Sequence, residues 1–131
     1  LKSNNFKLIN LLLVASGGAL GAALRYLNSI LFKNFFYYSF IGTLVVNVLG
    51  SFAIGLIVYL IKSKNLPEEF FKYFFIIGLL GSYTTFSAFS LETIELFMNN
   101  KILLSFTYIM LSLILCLIAA YIGFNFVKFI N

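Results

Sequence analysis

Four long runs of apolar residues alternate with short polar stretches along the chain. They cover about residues 8–32, 40–61, 70–97 and 102–127. A helix needs about 20 apolar residues to cross the hydrocarbon core of a bilayer, and short connections favour antiparallel packing of neighbouring helices. The pattern therefore predicts an all-α membrane protein in which residues 1–131 form one domain of four transmembrane helices.

The third run contains a stretch, residues 78–92, whose composition is poorly suited to a continuous helix. Gly78 and Gly81 each cost about 1 kcal/mol relative to alanine in a helix interior, and two adjacent β-branched threonines follow them. An interruption at membrane depth is tolerated only where the freed backbone groups face protein, an ion or water. We predict that the third helix is broken near its middle, with carbonyl groups available to a cation and with Phe86 and Phe89 facing a path.

Polar residues follow one face of the second segment. Thr43, Asn47 and Ser51 are spaced four residues apart and therefore share a helix face. An amide at mid-depth costs free energy unless it finds a partner. Asn47 either holds two helices together or donates an N–H group to a passing ligand, and the spacing alone leaves both interpretations open.

The fourth segment has a similar polar seam, at Ser105, Tyr108, Ser112 and Cys116. Spacings of three and four residues place these side chains on one face of an otherwise apolar helix. Serine hydroxyls in membrane helices often bond to their own backbone, which is the structural interpretation. Together with Asn47 and the two phenylalanines, the seam favours a continuous line of hydrogen-bond donors.

Composition excludes several classes of function. The chain is 62% hydrophobic and only 10% charged, whereas soluble domains are about one quarter charged. Its net charge of +5 is scattered along the sequence, which argues against a nucleic-acid footprint. The absence of histidine removes the commonest catalytic base, and no nucleophile–base arrangement is present, so we expect no enzymatic activity.

The charged residues within or beside the runs are few. Arg25, near the end of the first segment, either extends to the lipid headgroups or supplies a vestibule charge that concentrates anions. Pro67, followed by two glutamates, is a helix-start signal. Glu92 lies nearer the core and would need a partner or a proton if buried. Neutral donors and aromatic edges would suit a small anion that is costly to dehydrate.

Four short helices cannot enclose a long pore alone, so the sequence indicates an oligomer. One side of the predicted membrane domain has six basic residues, namely Lys2, Lys7, Lys62, Lys64, Lys72 and Lys128. The other side has three, namely Arg25, Lys33 and Lys101. This is a modest bias under the positive-inside rule, and insertion in both orientations remains open.

Three motifs resemble the Fluc (CrcB-type) fluoride channels. They are G-x-L-G-A-x-x-R-Y at residues 18–26, G-T-L-x-V-N-x-x-G-S-F at residues 42–52 and G-x-x-G-S-Y-T-T-F-S-A-F-S-x-E at residues 78–92. The resemblance covers nearly the whole chain in order. It implies a fluoride-selective channel of the inner (plasma) membrane, a dual-topology antiparallel homodimer with two pores, and passive fluoride export that confers fluoride resistance.

The resemblance also implies roles for individual residues. The fluoride pathway would include Asn47, Phe86, Phe89, Tyr108, Ser112, Thr43 and Cys116. Arg25 would belong to the vestibule. Backbone carbonyls of Gly81 and Thr84 from both subunits would hold a structural Na⁺ on the two-fold axis. The partners so implied are fluoride, sodium, the lipid bilayer and a second copy of the chain.

Two positions depart from the family pattern. Cys116 stands where a Ser or Thr hydroxyl is common, and a thiol is a weaker donor. Ala88 replaces the usual Ser or Thr between the two phenylalanines. Two other functions are alternatives for a chain of four apolar spans. One is a small proton-coupled multidrug exporter, which would need an acid that the first segment lacks, and the other is a structural membrane subunit whose polar seams serve assembly.

Overall fold

The computed structural model describes the backbone of residues 2–35, 39–64 and 66–130 and the side chains of residues 7–35, 39–64 and 66–126. All regular structure in these ranges is helical. Helix α1 covers Lys2–Phe35, α2 covers Ser39–Lys64, and the last helix, α6, covers Ile102–Ile130. The side chains of Lys2 and Lys128, used above in the charge comparison, lie outside the described residues.

The third segment is composed of several shorter helical pieces. They are α3 (Glu68–Phe70), a π-helix that we name π1 (Phe71–Leu80), α4 (Gly81–Tyr83) and α5 (Phe86–Met98). The segment bends only slightly, and Glu68–Met98 remains one 31-residue span. Together with Lys7–Phe35, Ser39–Lys64 and Ile102–Phe126, it gives four helices of membrane-crossing length and composition in the described part of the chain. The prediction of an all-helical, four-span architecture is confirmed.

Two residues within the third span have extended backbone dihedrals. Thr84 has φ −76° and ψ 155°, and Thr85 has φ −149° and ψ 116°. Thr85 is the N-cap of α5, and its Oγ1 accepts a hydrogen bond from the Ala88 N–H at 3.1 Å. A threonine cap of this kind contributes about 1 kcal/mol. The cap restarts the helix directly after the two extended residues.

The ends of the third span are set by ordinary local chemistry. Pro67, part of the helix-start signal in the sequence, occupies the N-cap position of α3, directly before the first helical residue, Glu68. At the other end, Asn100 has φ 58°, a left-handed conformation that asparagine adopts readily after a helix. The N–H of Lys101 then donates to the Leu96 carbonyl at 2.9 Å. This compact turn connects α5 to α6.

The bundle is held together by close contacts at small residues. Helix α1 packs along π1, and α2 packs along α6. A Cβ atom at Gly17 would overlap the Phe74 carbonyl oxygen, and one at Gly55 would overlap the Ala120 carbonyl oxygen. In a bilayer, where burial of apolar surface gives no advantage, such backbone approach is a main source of helix association.

The contact at Gly17 gives a direct test of this packing. We expect Gly17→Ala to lower the thermal unfolding temperature in detergent, since overpacking against backbone costs about 1–3 kcal/mol. Gly18→Ala is the matched control, because the nearest atom to its Cβ is the Ser82 Oγ at 3.3 Å, on a side chain that can rotate. Equal stability of the two variants would contradict the proposed α1–π1 contact.

Candidate functional site

Asn47 of α2 forms two hydrogen bonds with the backbone of Thr85. The Thr85 N–H donates to Asn47 Oδ1 at 2.8 Å, and Asn47 Nδ2 donates to the Thr85 carbonyl at 3.1 Å. Thr85 is buried, so its backbone groups need such partners. The amide therefore holds two helices together, as one of the two interpretations anticipated. Only one of its two N–H groups is used in the Thr85 contact.

The same arrangement changes the environment of two backbone carbonyls. In a continuous helix, the N–H groups of Thr85 and Ala88 would donate to the carbonyls of Gly81 and Thr84. Instead, the Thr85 N–H donates to Asn47 and the Ala88 N–H donates to Thr85 Oγ1. Carbonyl oxygens at Gly81 and Thr84 are thus deprived of their helical donors and are chemically suited to a hard cation.

A carboxylate links α2, α5 and α6. Thr43 Oγ1 donates to Glu92 Oε1 at 2.9 Å, and the Tyr108 hydroxyl donates to Glu92 Oε2 at 2.9 Å. Tyr108 is only 2% exposed, so leaving its hydroxyl without an acceptor would cost free energy. Glu92 was absent from the predicted pathway, yet it joins two residues that were in it. Its position three residues after Phe89, on the same helix face, was the available signal.

Aromatic rings continue from this carboxylate. The ring centroids of Phe89 and Tyr108 are 5.1 Å apart, and those of Phe86 and Phe89 are 5.3 Å apart. Both pairs are tilted, with interplanar angles of 59° for Phe89–Tyr108 and 45° for Phe86–Phe89, so neither pair stacks face to face. Phe86 is 76% exposed on the single chain. We call Phe86, Phe89 and Tyr108 the aromatic row.

The polar seam of α6 divides into two kinds of residue. Ser105 donates to the Thr93 carbonyl at 3.0 Å and therefore ties α6 to α5. Ser112 is only 7% exposed, and its hydroxyl has no hydrogen-bond partner among the described residues. Cys116, one turn further along, is a half-buried free thiol. An unpaired buried hydroxyl is unusual and favours a ligand that is not part of the chain.

A cavity of about 840 Å³ lies beside these contacts. Its lining includes Arg25, Lys33, Thr43, Thr85 and Glu92. Arg25 is half-buried and has no ion-pair partner among the described side chains, so its charge acts on the cavity. Through Thr43 and Glu92, the cavity connects to Tyr108 and hence to the aromatic row.

The structure thus brings most of the predicted residues into two connected groups. Thr43, Glu92 and the aromatic row form one, and Asn47 with Thr85 forms the other, adjacent to Phe86 in sequence. Arg25 lines the cavity, whereas Ser112 and Cys116 continue the seam along α6. The cavity lining combines two cations, Arg25 and Lys33, with one carboxylate, Glu92, whose oxygens accept hydrogen bonds from Thr43 and Tyr108. The excess of positive charge favours an anion in the cavity.

Residues 12–124 match the family described as CrcB-like protein, Camphor Resistance (CrcB). The chain belongs to the CrcB-like family. This confirms the resemblance and the expectation that the protein is not an enzyme, since relatives in this family are described as ion channels.

Several relatives share the description "Fluoride-specific ion channel FluC". One from Shewanella baltica is 49% identical over 115 residues, which are 87% of this chain and 92% of the relative. One from Flavobacterium psychrophilum is 41% identical over 116 residues, which are 88% of this chain and 94% of the relative. One from Ruminiclostridium cellulolyticum is 41% identical over 118 residues, which are 89% of this chain and 91% of the relative. Family and helices together identify a multi-pass membrane protein.

Proposed function

We propose that the protein is a fluoride-selective channel of the plasma membrane that lets fluoride leave the cell down its electrochemical gradient. Its relatives in the CrcB-like family bear the name of fluoride channels. The observation that carries the proposal is the buried, unpaired hydroxyl of Ser112, one helical turn from Tyr108 in the aromatic row. A buried donor of this kind is satisfied when an acceptor passes it.

The physical problem for such a channel is dehydration. Fluoride is small and holds its water strongly, so each lost water must be replaced by a donor. The unpaired Ser112 hydroxyl supplies an O–H group, and the edges of Phe86 and Phe89 supply the positive end of the ring quadrupole. The O–H groups of Tyr108 and Thr43 donate to Glu92 and become donors to the anion only when they turn away from that carboxylate. Arg25 raises the anion concentration in the cavity. Cys116 extends the line with a weaker donor.

Asn47 has a double role in this proposal. One N–H holds the Thr85 carbonyl, which fixes the start of α5 and hence the position of Phe86. The second N–H is available to the anion. Positioning and donation by one amide are compatible because the amide has two N–H groups.

A second copy of the chain completes the pathway. Phe86 is 76% exposed in the single chain, so one wall of the aromatic row is missing. We propose an antiparallel homodimer in which each subunit covers the row of the other, which gives two pores. One side has six basic residues and the other has three. This bias is weak enough to allow the chain to insert into the membrane in both orientations.

We further propose that the two extended residues, Thr84 and Thr85, act as a break in the third helix and that a Na⁺ ion binds there at the centre of the dimer. Carbonyls of Gly81 and Thr84, whose helical donors are engaged elsewhere, would be its ligands. When bound, the ion neutralises converging carbonyl dipoles and links the two subunits. This chain's own contribution is the Asn47–Thr85 contact that keeps the carbonyls available.

The Ser112 hydroxyl separates a pore role from a packing role. We expect Ser112→Ala to slow fluoride efflux by about tenfold, the effect of losing one hydrogen bond of about 1.5 kcal/mol. Stability in detergent should stay equal or rise, because a buried unpaired polar group is removed. Ser105→Ala is the control: it breaks the bond to the Thr93 carbonyl, so it should reduce stability. Normal efflux in Ser112→Ala would exclude this hydroxyl from the pathway.

A further inference from the structure

A second groove shares no lining residue with the cavity described above. It has a volume of about 550 Å³ and lies between the end of α2 and the beginning of the third span. Its apolar walls are Val58, Ile61, Ile76 and Ile77, and its charged residues are Lys62, Glu68 and Lys72.

The groove is amphipathic along the membrane normal. Lys62 lies two residues before the end of α2, and Glu68 is the first residue of α3, so the charged end lies where both helices leave the membrane. Val58 lies one turn below Lys62, and Ile76 lies one turn below Lys72. A molecule that fills the groove must therefore be polar at one end and apolar at the other.

The charges in the groove are not neutralised by each other. The Lys62 Nζ lies 5.7 Å from the Phe124 ring centroid, and the Lys72 Nζ lies 5.8 Å from the Tyr73 ring centroid. Within the described side chains, neither ammonium group nor the Glu68 carboxylate has an ion-pair partner. Cation–π contacts leave the N–H donors of lysine available.

We propose that this groove binds a phospholipid with a primary-amine headgroup, such as phosphatidylethanolamine. Its phosphate would lie between Lys62 and Lys72, its ammonium group would reach Glu68, and an acyl chain would cover the apolar wall. The carboxylate repels a purely anionic headgroup, and a quaternary amine offers it no N–H donor. Lipid binding in this groove does not depend on fluoride conduction.

Lipid binding can be measured by native mass spectrometry of the delipidated full-length protein, titrated with phosphatidylethanolamine, phosphatidylglycerol or phosphatidylcholine. We expect the ethanolamine lipid to bind most tightly. Lys62→Ala and Lys72→Ala should each weaken its binding by about fivefold, the usual contribution of one lysine near a membrane surface. Lys64→Ala is the matched control, because Lys64 is exposed but does not line the groove. Equal binding of all three lipids, or an equal loss in the control, would overturn the proposal.

The Glu68 carboxylate provides a second, independent test of the proposal. Glu68→Gln should shift the preference from the ethanolamine lipid to phosphatidylglycerol, because it removes the ammonium partner and the repulsion together. Glu69→Gln, outside the groove, should leave the preference unchanged. Inorganic phosphate should not compete at millimolar concentration, because it cannot fill the apolar half. Two results would contradict a lipid site. One is competition by phosphate, and the other is that the lysine variants bind lipid normally but have a reduced dimer fraction.

Discussion

Replacing Phe86 or Phe89 with isoleucine is expected to lower fluoride efflux from proteoliposomes by up to about tenfold. An aromatic contact is worth about 0.5–1.5 kcal/mol beyond simple burial, and the upper figure corresponds to about tenfold in rate. Isoleucine keeps the volume approximately but has no quadrupole and no positive edge for an anion. Since Phe86 is largely exposed on the single chain, its replacement should leave the fold of the subunit intact.

The control for this experiment is Phe97→Ile. Phe97 belongs to the same helix, α5, and is 52% exposed, but it lies outside the aromatic row. The Phe97→Ile variant should conduct fluoride like the unmodified protein. The dimer fraction of all three variants should be measured in parallel, by cross-linking or sedimentation in detergent. Normal efflux from both row variants with the dimer assembled would show that these rings do not face the ion.

Asn47→Asp is expected to have the largest effect of any single substitution on this site. A carboxylate cannot donate to the Thr85 carbonyl, so one of the two contacts that fix the start of α5 is lost. It also adds a second negative charge beside the pathway, which already holds the Glu92 carboxylate. Two unit charges about 4 Å apart repel by about 4 kcal/mol at an effective dielectric constant of about 20. We therefore expect efflux to fall by at least about a hundredfold.

The matched control is Asn28→Asp, the same chemical change in α1. Asn28 Nδ2 contacts the Tyr83 hydroxyl oxygen at 2.6 Å, and this hydroxyl can donate to a carboxylate instead. The contact is therefore kept although the charge is introduced. If Asn28→Asp and Asn47→Asp reduce efflux equally, a negative charge anywhere in the bundle is sufficient to reduce efflux. The proposal that Asn47 has a specific place in the pathway would then be wrong.

The architecture could be predicted from the sequence because its signals are local. Each apolar run exceeds the length of a bilayer crossing, which defines four helices without knowledge of their packing. Proline followed by two glutamates marks the start of the third span, and the structure places that start at Glu68. The first segment has a run of small residues at 15–23, a pattern that predicts close helix approach, and Gly17 within it makes such an approach to π1.

The contacts within the site could not be predicted in the same way, because they join residues far apart in sequence. The Asn47–Thr85 pair spans 38 positions, and the Thr43–Glu92 pair spans 49. Neither spacing follows from helix periodicity, which relates only residues within one helix. The π-helical stretch Phe71–Leu80 was also not foreseen, since its apolar sequence is equally compatible with an α-helix.

The central claim is that the purified protein alone conducts fluoride and rejects chloride. A fluoride-selective electrode outside liposomes loaded with potassium fluoride measures this directly, with potassium chloride and a chloride electrode as the comparison. We predict rapid, protein-dependent fluoride release that needs no imposed proton gradient, with chloride retained. Fluoride release no faster than from protein-free liposomes, or chloride release at an equal rate, would contradict the account.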